Sequence, residues 1–501
     1  MGNGTINPRD FRPGIEGRPY AEAPWIRGQY AGFSDPQETN ARIRSLVARG
    51  QTGVAYALDL PTQLGLDADH PAAEGEVGRV GVSLGSVDDL DAIVDGIALD
   101  SVNQFSTTAN SIGAPMIGLW LALAKRRGVA PTSFSVRLQN DVLKEYVARG
   151  TQVLPPNPAA ELSVDAIEHC VRHLPSWGPI SVSGYHMRDA GASREMELGF
   201  TLSLAREYLT RTVARGIDPA TIAQRISWFL SASSQPFHEA AKFRAARELW
   251  ARLLVDEFGV RDEKALGLRI IAYTLGGQMS PFEISNNSVR ITLSALGAVL
   301  GRVQSLFCSS IDEALGLPSE ENALLSIRTQ EILLEEAGFG ELVDPLASAT
   351  LIESLTDELV ESATRWDRDV TEHGGMIAAI ESGFIRGAID ENAWATELRS
   401  RERPRVGEVG NASPAADLTL FVPDPSFEAT RREQVVHWKA ARSEKKVGAA
   451  LAQLQTAARS GGNLVGAFAE AFMADVTLGE SMRVLVDVHG YAKDRERLWQ
   501  S

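Results

Sequence analysis

A parallel α/β fold, a TIM (β/α)8 barrel with an extended N-terminal arm and a C-terminal linker plus a small helical appendage, is predicted from three observations. Strand-like runs alternate with helical ones about eight times over about 350 residues, the count expected of a barrel with insertions. Hydroxyl and amide side chains recur on the strand candidates, which suits an interior open enough to admit a ligand. No strand is followed by a complete G-x-G-x-x-G turn, so a doubly wound open sheet loses its main support.

Composition sets the outer bounds. The 501 residues carry a formal charge of −16 and are 44% hydrophobic, enough to bury a large core. The acidic balance argues against general nucleic-acid binding. No run approaches the roughly 20 apolar residues of a membrane helix, and the first twenty residues lack the apolar centre of a signal peptide. Cys170 and Cys308 are the only cysteines. They form no disulfide framework and fit a reducing cytoplasm.

The elements follow in order. Residues 1–35 are rich in Gly, Pro, Arg and aromatics and read as an extended arm. Its rings, Tyr20, Trp25, Tyr30 and Phe33, must be covered by the main domain or by a partner chain. Ser34-Asp35 with Glu38 marks a helix start. The barrel is assigned to 36–400. Its strands are predicted at 53–58, 101–107, 134–139, 180–185, 225–231, 268–274 and 303–308, with a weaker one at 349–352. Helices are predicted at 86–97, 112–127, 194–215, 237–258 and 287–300. Ser106, Thr107, Thr108, Ser135, Gln139, Ser181, Ser183, Ser227, Ser231, Ser305 and Ser309 supply the hydroxyl and amide groups. Residues 401–426 turn charged, then Gly/Pro/Asp-rich, and read as a linker. Residues 427–501 return to amphipathic helix spacing.

The stretch Pro179-Ile-Ser-Val-Ser-Gly-Tyr-His186 organises the chain. A strand ends there and places His186 just beyond its C-terminal end, the end that faces the active site in a parallel barrel. Taken alone, such a histidine is more often a structural hydrogen bonder than a catalytic group. Gln139 ends another strand and opens a polar segment that runs to Arg149. Gln139 suits a carbonyl, and Arg149 suits a carboxylate that takes two parallel donors. The competing reading pairs Arg149 with Glu145 at i,i+4. Phe237-His238-Glu239-Ala-Ala-Lys242 stops short of a second zinc-binding histidine. The two cysteines have no metal-ligand spacing.

Several segments then point one way. Arg-Gly-Gln-Tyr-Ala-Gly-Phe (27–33), Leu-Asp-Leu-Pro-Thr-Gln (58–63), Leu-Gln-Asn-Asp-Val-Leu-Lys-Glu-Tyr (138–146) and Ile-Ser-Val-Ser-Gly-Tyr-His-Met (180–187) resemble the large-subunit signatures of the methylmalonyl-CoA mutase family. So do Lys-Phe-Arg-Ala-Ala-Arg-Glu-Leu-Trp (242–250), Gly-Gly-Met-Ile-Ala-Ala-Ile-Glu-Ser-Gly (374–383) and the segments from Gly462 to Gly479. The resemblance runs in order from about residue 15 to the C-terminus.

The resemblance implies an isomerase, an adenosylcobalamin-dependent acyl-CoA mutase, with coenzyme A threaded along the barrel axis. It implies that His186 and Gln139 hydrogen-bond the thioester carbonyl and that Tyr30 walls off substrate from corrin. Arg149, with Tyr30, would hold a substrate carboxylate. Glu313 would bind the adenosyl ribose, with Gly32 and Ser309 on the cofactor side. Arg225, Ser227 and Lys264 would line the coenzyme A path. The family ligates cobalt through Asp-x-His-x-x-Gly on a separate domain. Asp487-Val-His489-Gly-Tyr-Ala492 misses the last glycine and reads as a helix end. A small cobalamin-binding subunit is therefore expected, in a heterodimer or heterotetramer, with a G-protein chaperone as a further partner and no metal ligand in this chain.

The chain departs from the family's pattern at 23–25, 62–66, 272–277 and Ser309, which bears on the substrate. A carboxylated acyl-CoA of methylmalonyl- or ethylmalonyl-CoA type is the first expectation. A mutase for another branched acyl-CoA, of isobutyryl or hydroxyacyl type, and a non-catalytic paralogous subunit are the alternatives.

Overall fold

The computed structural model describes residues 6–14, 17–409, 424, 426–493 and 495–499. Among these are nine strands: β1 Ile26–Gly28, β2 Tyr30–Ala31, β3 Val54–Tyr56, β4 Phe105–Thr107, β5 Val136–Leu138, β6 Ile180–Ser183, β7 Ile226–Ala232, β8 Arg269–Thr274 and β9 Ser305–Phe307. The chain forms two compact units. One joins Met1–Gln29 to Val182–Phe421; the other joins Tyr30–Ser181 to Val422–Ser501.

The unit that begins at Tyr30 holds a sheet in the order β2-β3-β4-β5, every pair parallel. Asp35 starts the helix Pro36–Ala48 by accepting from the backbone N–H groups of Gln37 and Glu38, at 2.6 and 2.9 Å, as the sequence predicts. Ser86 and Asp89 close a reciprocal capping box before the helix Val87–Ile93. Trp120 fills the space under the sheet, with its ring centroid 5.1 Å from Phe105 and 5.8 Å from Phe134.

The helices Phe427–Ala441, Glu444–Ser460, Val465–Met473 and Leu478–His489 belong to this same unit. Phe468 seats against Gly118, where a methyl group would sit 2.6 Å from its Cβ. Buried Asp67 fastens the far helix by accepting from Thr477 Oγ1 at 2.5 Å and Gly479 N at 2.9 Å.

The unit that contains His186 holds a sheet in the order β1-β9-β8-β7-β6. β1 pairs β9, β9 pairs β8 and β8 pairs β7, each in parallel. In both sheets, spatial neighbours are sequence neighbours, apart from β1, which returns to β9. This singly wound order with intervening helices is consistent with the TIM-barrel type and lacks the strand-order reversal of a doubly wound sheet. The arm's aromatics are covered within the chain. Tyr20 and Trp25 pack edge to face at 4.7 Å, Tyr20 donates to Val303 O at 2.8 Å, and Trp25 donates to Gln330 Oε1 at 3.2 Å.

Three expectations need correction. The weak strand at 349–352 is the first turn of the helix Thr350–Glu372. Its buried Ile352, Thr356, Leu359, Val360 and Ala363 recur at helical spacing, and that period outweighs a short β-branched run. The arm carries β1 and β2, which were not predicted as strands. Some strand hydroxyls also serve the wall itself. Thr107 Oγ1 donates to Tyr56 O at 3.0 Å, and Ser309 Oγ donates to Thr274 O at 2.8 Å. The linker assigned to 401–426 lies mostly outside the described residues, and the helix Phe384–Glu402 runs into its start.

Candidate active site

The predicted residues fall into two groups, one in each unit. In the unit that begins at Tyr30, the first group forms at the ends of β2 and β5. Asn140 adopts φ +48° directly after Gln139. Its side chain donates to Ser163 O and Pro179 O, both at 3.0 Å, which holds the corner that asparagine tolerates best. Gln139 is thereby fixed. Its Oε1 accepts from Asn110 Nδ2 at 3.2 Å, and its amide hydrogen-bonds the Tyr30 hydroxyl. Burial pushes the Tyr30 phenol up to about 12, against the opposing effects of Gln139 and Arg149, so the phenol stays protonated at neutral pH.

Arg149 follows the short helix Leu143–Tyr146. The i,i+4 contact with Glu145 forms, but loosely, at 3.7 Å. Glu145 is fully buried and already committed to Lys144 and to Thr151, whose Oγ1 and N donate at 2.8 and 3.2 Å. Burial works against ionisation of Glu145, yet Lys144 and Arg149 hold its carboxyl below the usual range. Burial lowers Lys144 to about 8. The Arg149 side chain keeps 27% of its surface exposed.

Gly32 stands at φ +131°, and a Cβ there would collide with the Ala57 backbone, whose N–H donates to Ala31 O at 2.7 Å. Gly32→Ala is expected to cost about 2–4 kcal/mol in urea unfolding, from strain and overpacking together. A change within experimental error would show that the backbone relaxes there.

The second group lies at the C-terminal ends of β6, β8 and β9. Gly184 makes the turn after β6, with no room for a Cβ, which would sit 2.7 Å from Glu197 Cγ. Glu197 is itself a buried anchor. It accepts from Ser231 N at 2.7 Å, Ser231 Oγ at 2.9 Å and Lys242 Nζ at 2.9 Å. On this seat His186 places Nδ1 2.8 Å from Ser183 Oγ, with Phe229 at 5.8 Å and Tyr185 at 5.3 Å between ring centroids. The Tyr185 hydroxyl accepts from Gly276 N at 3.3 Å. A Cβ on Gly276 would stand 3.5 Å from both Tyr185 Oη and Glu313 Oε1, so one glycine joins His186's neighbour to Glu313. Burial, with Asp189 and Asp312 adding to it, raises the Glu313 carboxyl to about 7 against the opposing Ser310 amide.

A cleft of about 490 Å³ opens beside these residues, walled by Arg188, Asp189, Arg194, Gln235, Gly277 and Arg399 among others. Arg225 and Ser227 sit at the opposite, N-terminal end of β7, and Lys264 is exposed on the short helix Glu263–Leu266 ahead of β8. Ser309 is fully buried, and its N–H and hydroxyl are both spent on Thr274. Asp487 accepts from Arg483 Nε at 3.0 Å and His489 ends the helix Leu478–His489, so the near-miss motif is helical. The sequence reading missed Asn110, which orients Gln139, and the Glu197–Lys242 seat. A polar residue that turns toward a distant strand leaves no periodic trace.

A family model described as methylmalonyl-CoA mutase matches residues 7–491. Methylmalonyl-CoA mutase of Cereibacter sphaeroides is 37% identical over 484 residues, which is 96% of this chain and 68% of that protein. The Rhizobium meliloti protein of that name is 37% identical over 490 residues, with the same shares. The methylmalonyl-CoA mutase large subunit of Streptomyces virginiae is 35% identical over 482 residues, 94% of this chain and 65% of that one.

Proposed function

The chain belongs to the methylmalonyl-CoA mutase family, a family of isomerases, and from that membership we propose that it is the acyl-CoA-binding large subunit of an adenosylcobalamin-dependent mutase. The substrate is a short branched acyl-CoA that bears a carboxylate, of methylmalonyl- or ethylmalonyl-CoA type. One observation carries this choice: Arg149, in the group of Tyr30 and Gln139, keeps a loose 3.7 Å contact to a carboxylate that Lys144 and Thr151 already satisfy. A guanidinium held so can turn two parallel donors to a substrate carboxylate.

The protein's tasks follow from its own residues. His186, with Nδ1 toward Ser183 Oγ, offers Nε2 to the thioester oxygen as charge develops there. In the other unit, Gln139 offers its amide to the acyl group and Tyr30 its phenol ring as a shield. Arg225, Ser227 and Lys264 attend the coenzyme A path. When bound, adenosylcobalamin supplies the radical that abstracts and returns a substrate hydrogen. Glu313 fits its adenosyl group: the buried carboxyl, next to Gly276 and so close to Tyr185, can accept from ribose hydroxyls. The helical Asp487–His489 segment does not fit cobalt ligation. That ligand comes from a small cobalamin-binding subunit.

Glu313 accepts through both oxygens only when it is ionised. Its ionised fraction rises through pH 7, so cofactor affinity of the reconstituted complex is expected to rise by roughly tenfold from pH 6 to 8. Glu313→Gln should flatten that profile. An unchanged slope in the variant would remove Glu313 from the cofactor site.

The decisive experiment mixes the chain with a cobalamin-binding small subunit and adenosylcobalamin, then screens acyl-CoAs for isomerisation. Turnover of methylmalonyl- or ethylmalonyl-CoA supports the proposal; turnover of uncharged acyl-CoAs alone overturns the carboxylate. A second reading, another branched acyl-CoA, has Tyr273 in its favour. That ring joins Tyr185 and Phe229 in an aromatic cluster, 5.3 and 6.4 Å between centroids, which suits an apolar acyl group.

A further inference from the structure

The motif that does not fit cobalt ligation, Asp487-Val-His489-Gly-Tyr-Ala492, opens onto a short tail with a defined course. Gly490, at φ +77°, turns the chain out of the helix Leu478–His489, a backbone conformation that glycine adopts freely. Ala492, at the motif's last position, donates its N–H to Val153 O at 2.7 Å. Arg495 donates through Nη2 to Gly150 O. Beyond it, Trp499 is 4% exposed and lies 6.2 Å from His70 between ring centroids. Its carbonyl accepts from Arg483 Nη1 at 2.7 Å. The tail is thus held at both ends, in the same unit as the loop it touches.

That loop carries Arg149. Residues 151–154 are buried, so their carbonyls need donors from the protein. Thr151 O accepts from Ser111 Oγ at 2.6 Å, and Leu154 O accepts from the Tyr146 hydroxyl. Val153 O and Gly150 O accept from the tail. Gly150 stands at φ +82°, and a Cβ there would sit 3.2 Å from Arg495 Nη2. The guanidinium therefore reaches the backbone through space that a side chain would crowd. Gly150 N donates in turn to Glu145 O at 2.8 Å. The residue that follows Arg149 is fixed through both its N–H and its carbonyl.

Arg495 is an expensive donor for this task. It is partly buried and has no ion-pair partner among the described residues, and its Nε is buried without a hydrogen bond. A neutral donor would satisfy the Gly150 carbonyl with less desolvation. A cation at this point does something further: it makes the loop beside Arg149 more positive, which favours an approaching carboxylate.

Resting on the carboxylated acyl-CoA reading above, we infer that Arg495 is a positioning residue for Arg149. It fixes the Gly150 carbonyl, and so sets the direction in which the neighbouring Arg149 side chain leaves the loop. The loose 3.7 Å contact to Glu145 is too weak to do this alone. The effect falls on binding of the substrate carboxylate, which is present before and during the reaction, and not on the radical step.

The test uses the chain reconstituted with a cobalamin-binding small subunit and adenosylcobalamin. Arg495→Gln is expected to raise KM for methylmalonyl- or ethylmalonyl-CoA, whichever is turned over, by about tenfold and to leave kcat within about twofold. Arg495→Lys, which keeps a charged donor, should restore most of the affinity. Calorimetric binding of isobutyryl-CoA should be unchanged in both variants. In a double-mutant cycle Arg495→Gln should add little to Arg149→Gln, because it acts through that side chain. Full additivity, an unchanged KM or an equal loss for isobutyryl-CoA overturns the positioning role. Amide hydrogen exchange of the chain reads the loop without substrate: residues 147–154 should exchange faster in Arg495→Gln, and unchanged exchange overturns the assignment as well. Turnover confined to uncharged acyl-CoAs defeats the carboxylate reading and the carboxylate role of Arg495 with it, while the exchange result still decides whether the tail braces the loop.

Discussion

Replacing His186 by alanine should lower kcat by about 10²–10³ and change KM little, because the imidazole acts most strongly on charge that develops only in the transition state. The geometry gives the reason. Gly184 turns the chain in a space closed by Glu197, and Glu197 is anchored by Ser231 and Lys242. The ring therefore stands on a rigid support, with Nδ1 tied to Ser183 Oγ at 2.8 Å. Preorganisation of this kind spares the donor any reorganisation as the oxygen gains charge. The measurement is steady-state kinetics of the reconstituted enzyme, alongside thermal melting. A lower melting temperature with unchanged turnover per folded molecule would make His186 a structural residue.

Arg149→Gln should cost about 2–5 kcal/mol in kcat/KM for a carboxylated acyl-CoA, since the carboxylate is left buried and unpaired. An uncharged acyl-CoA should lose far less. With Tyr30→Phe added, preference should shift toward it, because specificity is a difference between the two substrates. Folding should suffer little. Glu145 keeps Lys144 and both donors of Thr151 when Arg149 is removed, and the arginine side chain is 27% exposed, where solvent screens the pair. Equal losses for charged and uncharged substrates would return Arg149 to the role of loop support through Glu145.

How far the sequence reveals all this depends on the range over which each feature is determined. β7 and β8 are legible to within a residue or two, because alternation and flanking turn residues are local. The helix cap at Asp35 is legible for the same reason. His186 stands out because a strand and a glycine turn precede it. β1 and β2 are not legible: they are three and two residues long, lie among Gly and Pro, and become strands only through distant partners. The helix Thr350–Glu372 opens with residues that favour strands, and only its later turns reveal its period. At the site, Gln139 and Arg149 are visible as polar residues after a strand. Asn110 and the Glu197–Lys242 seat are not, because each acts across sequence distance. The loose Arg149–Glu145 contact shows why both readings of that spacing have substance.

The pairing of β1 with β9 also constrains how the chain comes to fold. Ile26 meets Ser305 and Gly28 meets Phe307, so the first strand emerges from the ribosome long before its partner exists. At 5–20 residues per second the wait is roughly 15–60 s. The unit that begins at Tyr30 waits longer still, because its helices from Phe427 to His489 are made after β9. Neither unit can close until its distant segment has been made, and unpaired strand edges meanwhile stay open to other nascent chains. High contact order of this kind favours slow folding and aggregation on crowded polysomes. Weaker expression, which keeps fewer unfinished chains near one another, should therefore raise the soluble yield.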